Sequence, residues 1–363
     1  MKKLLVFAAL TCATSVQAQK VDTLASQELQ EVIVAGVRAQ KNAPFAVANI
    51  KKTELSNFSK TGRELPFLFA HTPGVFAWGD NGLGTGTTAM RIRGAGGSRI
   101  NITLDGVSLN SPEDQTVFWA NMNSYGALMS SVQIQRGIGT STNGDGAFGG
   151  SISLATATPN QQPSAEVSGS FGTYNTYNTG VKFSTGLLGN HFVFDGAYHE
   201  TATDGFLHGT AGRSGSYYGG LAYLGDNFQI RYKNIGNFEK TGQAWNGVVA
   251  GNNDASLMGS DIKTYKDLYE RGLGRFNPLY EGLVFDYDKW SFPSDANGKY
   301  QTYRYKMDNG SYWEKTTDNF YQNHNILSAV WKPSTAWSHN IALHYTYGHG
   351  YYNEFRPNNK FNK

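Results

Sequence analysis

An α+β domain over residues 43–159, followed by antiparallel membrane β-barrel strands over 160–363, is the fold class the sequence predicts. Three observations predict it. The chain opens with an export leader, and its first half then carries helix starts and short alternating strands punctuated by glycine. The second half is built of segments of about ten alternating residues, the length a tilted membrane strand needs.

Lys2 and Lys3 precede an apolar stretch from Leu4 to about Val16, and Val16-Gln17-Ala18 puts small residues where a signal peptidase reads. Residues 1–18 are therefore expected to be a cleaved secretory signal, too short to span a membrane as a helix. Cys12 is the only cysteine and leaves with it, so the mature chain would have no disulfide, thiolate nucleophile or cysteine-based metal site. The formal charge of +3 includes both leader lysines and gives no field for nucleic acid. Charged residues make up 16%, against roughly 25% in ordinary soluble domains. With 43 glycines, 21 tyrosines and 21 phenylalanines, this composition fits many-turned β structure with one face in lipid. No run after Val16 is apolar enough for a transmembrane helix.

Residues 19–42 are polar apart from Leu29-Gln30-Glu31-Val32-Ile33-Val34-Ala35. Such a β-prone run can add as a strand to a partner's sheet edge, or be the first strand of the domain behind it; both readings stand. In the α+β unit, Thr53-Glu54-Leu55-Ser56 and Thr61-Gly62-Arg63-Glu64-Leu65 predict helix starts with a polar cap, and Pro73-Gly74 ends the second helix. Thr85-Gly86-Thr87-Thr88 reads as loop, with a strand resuming at Ala89–Arg93. Ile100–Leu104 alternates and ends in Asp105-Gly106, a dipeptide that tolerates the positive φ of a tight turn. Val132–Gln135 and Ser151–Leu154 repeat the alternation, so one small sheet with two or three helices is expected.

Beyond Pro159, strands are predicted near 165–172, 178–186, 190–199, 216–224, 227–237, 319–332 and 337–348. Val167/Gly169/Phe171 opposes Glu166/Ser168/Ser170, Phe228/Ile230/Tyr232 opposes Gln229/Arg231/Lys233, and Ile341/Leu343/Tyr345/Tyr347 opposes Asn340/Ala342/His344. Short turns at 187–190, 225–226 and 332–336 alternate with long excursions at 200–215 and 238–318. Outer-membrane barrels show that order, with short turns in the periplasm and long loops outside, whereas a soluble sandwich has no reason to sort its loops by length. Seven strands leave two open edges that hydrocarbon cannot satisfy, so the barrel is expected to be incomplete.

Between Thr72 and Ile152 the chain strings together Thr72-Pro73-Gly74-Val75, Met90-Arg91-Ile92-Arg93-Gly94, Leu104-Asp105-Gly106-Val107, Val132-Gln133-Ile134-Gln135-Arg136-Gly137 and Gly146-Ala147-Phe148-Gly149-Gly150-Ser151-Ile152. In this order and spacing the series resembles the plug domain of TonB-dependent outer-membrane receptors. The resemblance implies a plug with about seven strands of a 22-stranded barrel, in the outer membrane of a Gram-negative bacterium. It implies coupling to TonB and its inner-membrane energising complex through Glu31, Val32, Ile33 and Val34. It implies plug-to-barrel contacts by Arg91, Arg93 and Arg136, and transport of a scarce nutrient. An iron chelate, siderophore or haem, is the first expectation and cobalamin the second; oligosaccharide fits less well.

Trp78, Asp80, Gln115, Phe118 and Trp119 lie in plug segments that would face outward, and serve either as ligand contacts or as plug core. Trp245, Tyr265, Tyr269, Trp290 and Trp313 in the long excursion could join them. The competing class is a secreted adhesin-like β protein binding through aromatic loops. An enzyme is not expected, since no nucleophile–base pair stands out, and no cofactor is expected. Gly82-Leu83-Gly84-Thr85-Gly86 lacks the strand, helix and lysine of a phosphate loop. Asn143-Gly144-Asp145-Gly146 lacks the acids of a calcium loop. The eight histidines show no helical ligand spacing, so no metal site is expected; His199 and His208 flank an external excursion and could touch haem or a chelated metal, although such residues are more often solvated.

Overall fold

The computed structural model of the protein describes residues 38–39, 44, 46–139, 147–245, 247–248, 251, 261–314 and 316–356. The leader, the run Glu31–Val34 and the Asn143–Gly146 turn lie outside the described residues.

The α+β unit runs β1 (Ala46–Lys51), α1 (Lys52–Ser59), α2 (Leu65–Phe69), β2 (Val75–Gly79), β3 (Thr88–Ile92), β4 (Ile100–Leu104), β5 (Val107–Ser108), β6 (Met129–Arg136) and β7 (Gly150–Thr156). Its main sheet has the order β1-β6-β7-β4-β5, with β4 and β7 parallel and the other pairs antiparallel. Alternation sorts the two faces: Ile100, Ile102, Leu104, Val132, Ile134, Ile152 and Leu154 pack into one apolar core with Leu55 of α1 and Phe69 of α2. The opposite face is polar yet buried, through Asn101, Thr103, Gln133, Gln135, Ser151 and Ser153. Part of that face is closed by Arg38, which donates to Ser131 and Ser153, and by Ala39, whose amide donates to Gln133 at 2.7 Å.

Two expectations need correction here. The β2–β3 hairpin is a separate two-stranded sheet, because the chain reverses at Ile92–Ala95 through Arg93 and Gly94, both at positive φ. The helix caps also differ. The residues at the N-cap positions are Lys51 and Glu64, neither capping with its side chain. Glu64 turns away from its helix and accepts instead from Gly86 and Thr88.

The second sheet has the order β8 (Ser164–Phe171), β9 (Tyr177–Ser184), β10 (Phe192–Thr203), β11 (Gly212–Leu224), β12 (Phe228–Gly242), β15 (Thr317–Ser334) and β16 (Trp337–Asn353), every neighbouring pair antiparallel. It is not closed: β8 and β16 each pair on one side only. All seven expected strands are present, but five outrun the expected ranges, to 12 residues in β10, 13 in β11, 15 in β12, 18 in β15 and 17 in β16. The apolar alternation fades toward Thr203 and Lys240, whereas ladder pairing continues to Thr203↔Gly212 and Gly242↔Thr317. The excursions shrink accordingly to 204–211 and 243–316. The described residues of the longer one include α3 (Tyr265–Glu270), opened by a Thr264/Asp267 capping box, and a small pair of β13 (Glu281–Leu283) and β14 (Thr302–Arg304).

This sheet is arranged inside out. Val167 and Phe171 are 80% and 88% exposed on one face, with Val181, Phe183, Ile341 and Leu343 also exposed. The face toward the α+β unit buries Thr201, Ser214, Ser216, Lys233, Asn237, Glu239 and Thr241. Such an inversion is the pattern of a membrane-barrel wall, apolar toward lipid and polar toward its interior. The outer face carries one polar strip, in which Tyr217, Tyr232, Asn234, Tyr321, Asn323 and Asn325 bond to one another across β11, β12 and β15. No helix among the described residues is long and apolar enough to cross a membrane.

Candidate functional site

The α+β unit sits against the polar face of the large sheet, and the contacts that hold it there come from local turns. Asp105 is at φ +49°, as its turn requires, and its carboxylate accepts from the Thr156 amide at 2.9 Å and the Thr156 hydroxyl at 2.8 Å. The same carboxylate pairs with Lys233 of β12, both side chains being buried. Burial alone would raise the Asp105 carboxyl, but Lys233, with Arg231 behind it, holds it below the usual carboxylate range. Arg231 donates to the Ala157 carbonyl at 2.6 Å and to Tyr218, which bonds Asp195. Ile235 and Ile326 carry the apolar core across the boundary. Further out, Asn123 bonds Ser214, Tyr125 bonds Asn237 and Thr87 bonds Gln243.

Toward the end of β12 that leads into the long excursion, two cavities of about 310 and 380 Å³ lie between the loop 108–122 and the sheet, sharing Phe118, Asn121 and Phe320. The first is also lined by Gly86, Thr87, Thr88, Trp119, Glu239, Trp245 and Asp318. Asn110, Gln322, His324 and His344 line the second. Their sizes match the lower range of small-ligand pockets. Beneath the first, Glu64 is fully buried, its carboxyl accepting from Gly86 at 2.6 Å and from Thr88. Burial pushes that carboxyl up to about 8, although the two donors pull the other way.

Of the five expected ligand-contact residues, Phe118 and Trp119 line these cavities. Trp119 is also a core residue, 4% exposed and edge-on to Phe69 at 5.5 Å. Trp78 stacks on Phe76 in the β2–β3 hairpin, Asp80 is half-buried with its carboxyl raised by burial, and Gln115 holds a positive-φ turn. None of these three lines either cavity. Contacts of the expected plug-to-barrel arginines lie within the α+β unit: Arg136 donates to the Pro73 carbonyl at 2.7 Å and Arg91 lies over Trp78. Arg91 and Arg93 are exposed. The buried ionic contact with the sheet is made by Asp105 and Lys233 instead, because the Asp105 turn points at β12 while the arginines stand on the hairpin and on the end of β6. His199 is buried inside β10 against Gly180, contrary to the solvated position expected, and His208 pairs with Glu281 at 2.7 Å. Glu239, Asp318 and Phe320 were not anticipated; the only hint is their shared parity on the polar face of two outward strand ends.

Residues 39–151 match the model of the TonB-dependent receptor plug domain. No curated protein matches the chain in sequence. Among solved structures, the chain is similar to the P. aeruginosa receptor FpvA bound to heterologous pyoverdines, with TM-score 0.60 and 13% identity over 84% of this chain and 34% of that one. It is similar to the ferric yersiniabactin uptake receptor FyuA from Yersinia pestis, with TM-score 0.58 and 14% identity over 87% and 43%. It is also similar to the ferric-catecholate import receptor Fiu from E. coli K12, with TM-score 0.60 and 12% identity over 85% and 39%. The chain thus spans between a third and a half of the length of these structures, and the likeness covers the plug and the open sheet.

Proposed function

From residues 39–151 being a TonB-dependent receptor plug domain, joined to strands with the fold of such receptors, we propose that the protein serves the TonB-driven uptake of a scarce, bulky nutrient across the outer membrane. One observation carries this reading: the plug lies against the polar face of a sheet whose other face is apolar and exposed, with cavities between them on the side of the long excursion. An iron chelate is the cargo we infer, in keeping with the siderophore receptors whose fold it shares. Phe118 and Trp119 are its plug-side contacts, Glu31, Val32, Ile33 and Val34 the segment offered to TonB, and residues 1–18 the cleaved leader. Arg91, Arg93 and Arg136 are the plug-to-barrel contacts of this reading, Arg91 and Arg93 being exposed.

Val32→Pro removes a donor from a strand that would pair with TonB. In energised cells, the variant is expected to bind ferric chelate at the surface as the parent does and to lose uptake. Undiminished uptake would remove Glu31–Val34 from the coupling role. Replacing the ferric chelate by cobalamin in the same assay tests the cargo.

A further inference from the structure

We propose that the 310 Å³ cavity between plug and sheet is a subsite for an organic cation, a protonated amine or guanidinium group carried on an apolar body. Glu239 is 6% exposed, lines the cavity, and has a carboxylate oxygen, Oε2, with no hydrogen-bond partner among the described residues. Such a buried acceptor calls for a donor. Asp318 lines the same cavity from the next strand. The register Glu239↔Phe320 and Thr241↔Asp318 puts the two acids on one inward face as diagonal neighbours, roughly 7–8 Å apart.

Four aromatic rings, from Phe118, Trp119, Trp245 and Phe320, form the walls, and among the described residues no lysine, arginine or histidine lines the cavity. Carboxylates with aromatic faces and no resident cation are the chemistry that recognises ammonium and guanidinium groups. A bare metal ion fits less well: among the described residues no group of three His, Cys, Asp or Glu could hold one. Glu64, below the cavity, is bonded to Gly86 and Thr88 and supports the floor rather than the ligand. The subsite rests on the receptor reading only in taking the cation to be part of the cargo.

Equilibrium dialysis of the purified protein in detergent, with phenethylammonium and its neutral isostere phenethyl alcohol at matched ionic strength, tests the subsite without TonB or uptake. Saturable binding of the cation, at least tenfold tighter than the alcohol, is expected. Glu239→Gln should weaken it about tenfold and Asp318→Asn several-fold, with circular dichroism unchanged in both. Asp318 is half-buried, so its variant remains informative should Glu239→Gln fail to fold. Equal binding of cation and alcohol would reduce the cavity to an apolar slot and overturn the proposal. So would no cation binding by the folded protein, or cation binding that both variants retain. None of these results bears on uptake, so the Val32→Pro experiment stands or falls separately.

Discussion

The plug sheet and the large sheet obey the same two-residue alternation and bury opposite halves of it. In the plug, Ile134, Ile152 and Leu154 turn inward and are fully buried. In β8, Val167 and Phe171 turn outward and are almost wholly exposed, while β12 buries Lys233, Asn237 and Glu239. Alternation identifies a strand; the medium on each side decides which half is hidden. An apolar core shared with two helices selects the first arrangement, and an apolar surround outside with a polar plug inside would select the second.

The sharpest test of this comparison lies where the two regions meet. Lys233→Met leaves Asp105 buried without its ion partner and is expected to cost about 3–5 kcal/mol, read as a lowered denaturant midpoint. Asp105→Asn combined with Lys233→Met should recover most of the loss, since no uncompensated charge remains. A single variant as stable as the parent would mean that the pair does not hold the plug. Next in size, Ile134→Ala in the plug core should lose about 2–5 kcal/mol whether the protein is in detergent or bilayer.

Val181→Arg probes the inverted face. Val181 is exposed at the middle of β9, and an arginine there should destabilise the protein by about 2–4 kcal/mol in a bilayer if it lies near the midplane. An equal effect after transfer to water-accessible conditions would argue against lipid on that face. The smallest effect concerns Glu64. Its carboxyl is raised from 4.5 to about 8 in the folded protein, so the folded state binds the proton more readily than the unfolded state. The resulting stability is fully present below about 4.5 and is lost as the pH rises toward about 8. Glu64→Gln mimics the protonated form and should change stability at pH 5 by no more than about 1 kcal/mol. It should also flatten the fall between pH 5 and 8. A slope that persists would assign it to another group.

Much of the fold could be read from local pattern. Seven sheet strands, the turns between them and the Asp105-Gly106 turn all announce themselves within about ten residues, because alternation and positive-φ residues are local properties. The helix caps misled for the same reason: Thr53 and Thr61 have capping chemistry, but Glu64 was claimed by Gly86 and Thr88, more than twenty residues away. Trp119 could be read as ligand contact or core, and it borders both.

By itself, then, the sequence determined that a glycine-strung α+β unit precedes membrane-type strands, with the plug motifs between Thr72 and Ile152 in their order and an exported chain expected around them. Tertiary structure alone decided that Asp105 meets Lys233 and that Glu239 and Asp318 close on Phe118 and Trp119. Those pairings join residues more than a hundred positions apart through the register of long ladders. A one-residue slip would turn each strand's side chains to the other face, and no local pattern records which register the plug will meet.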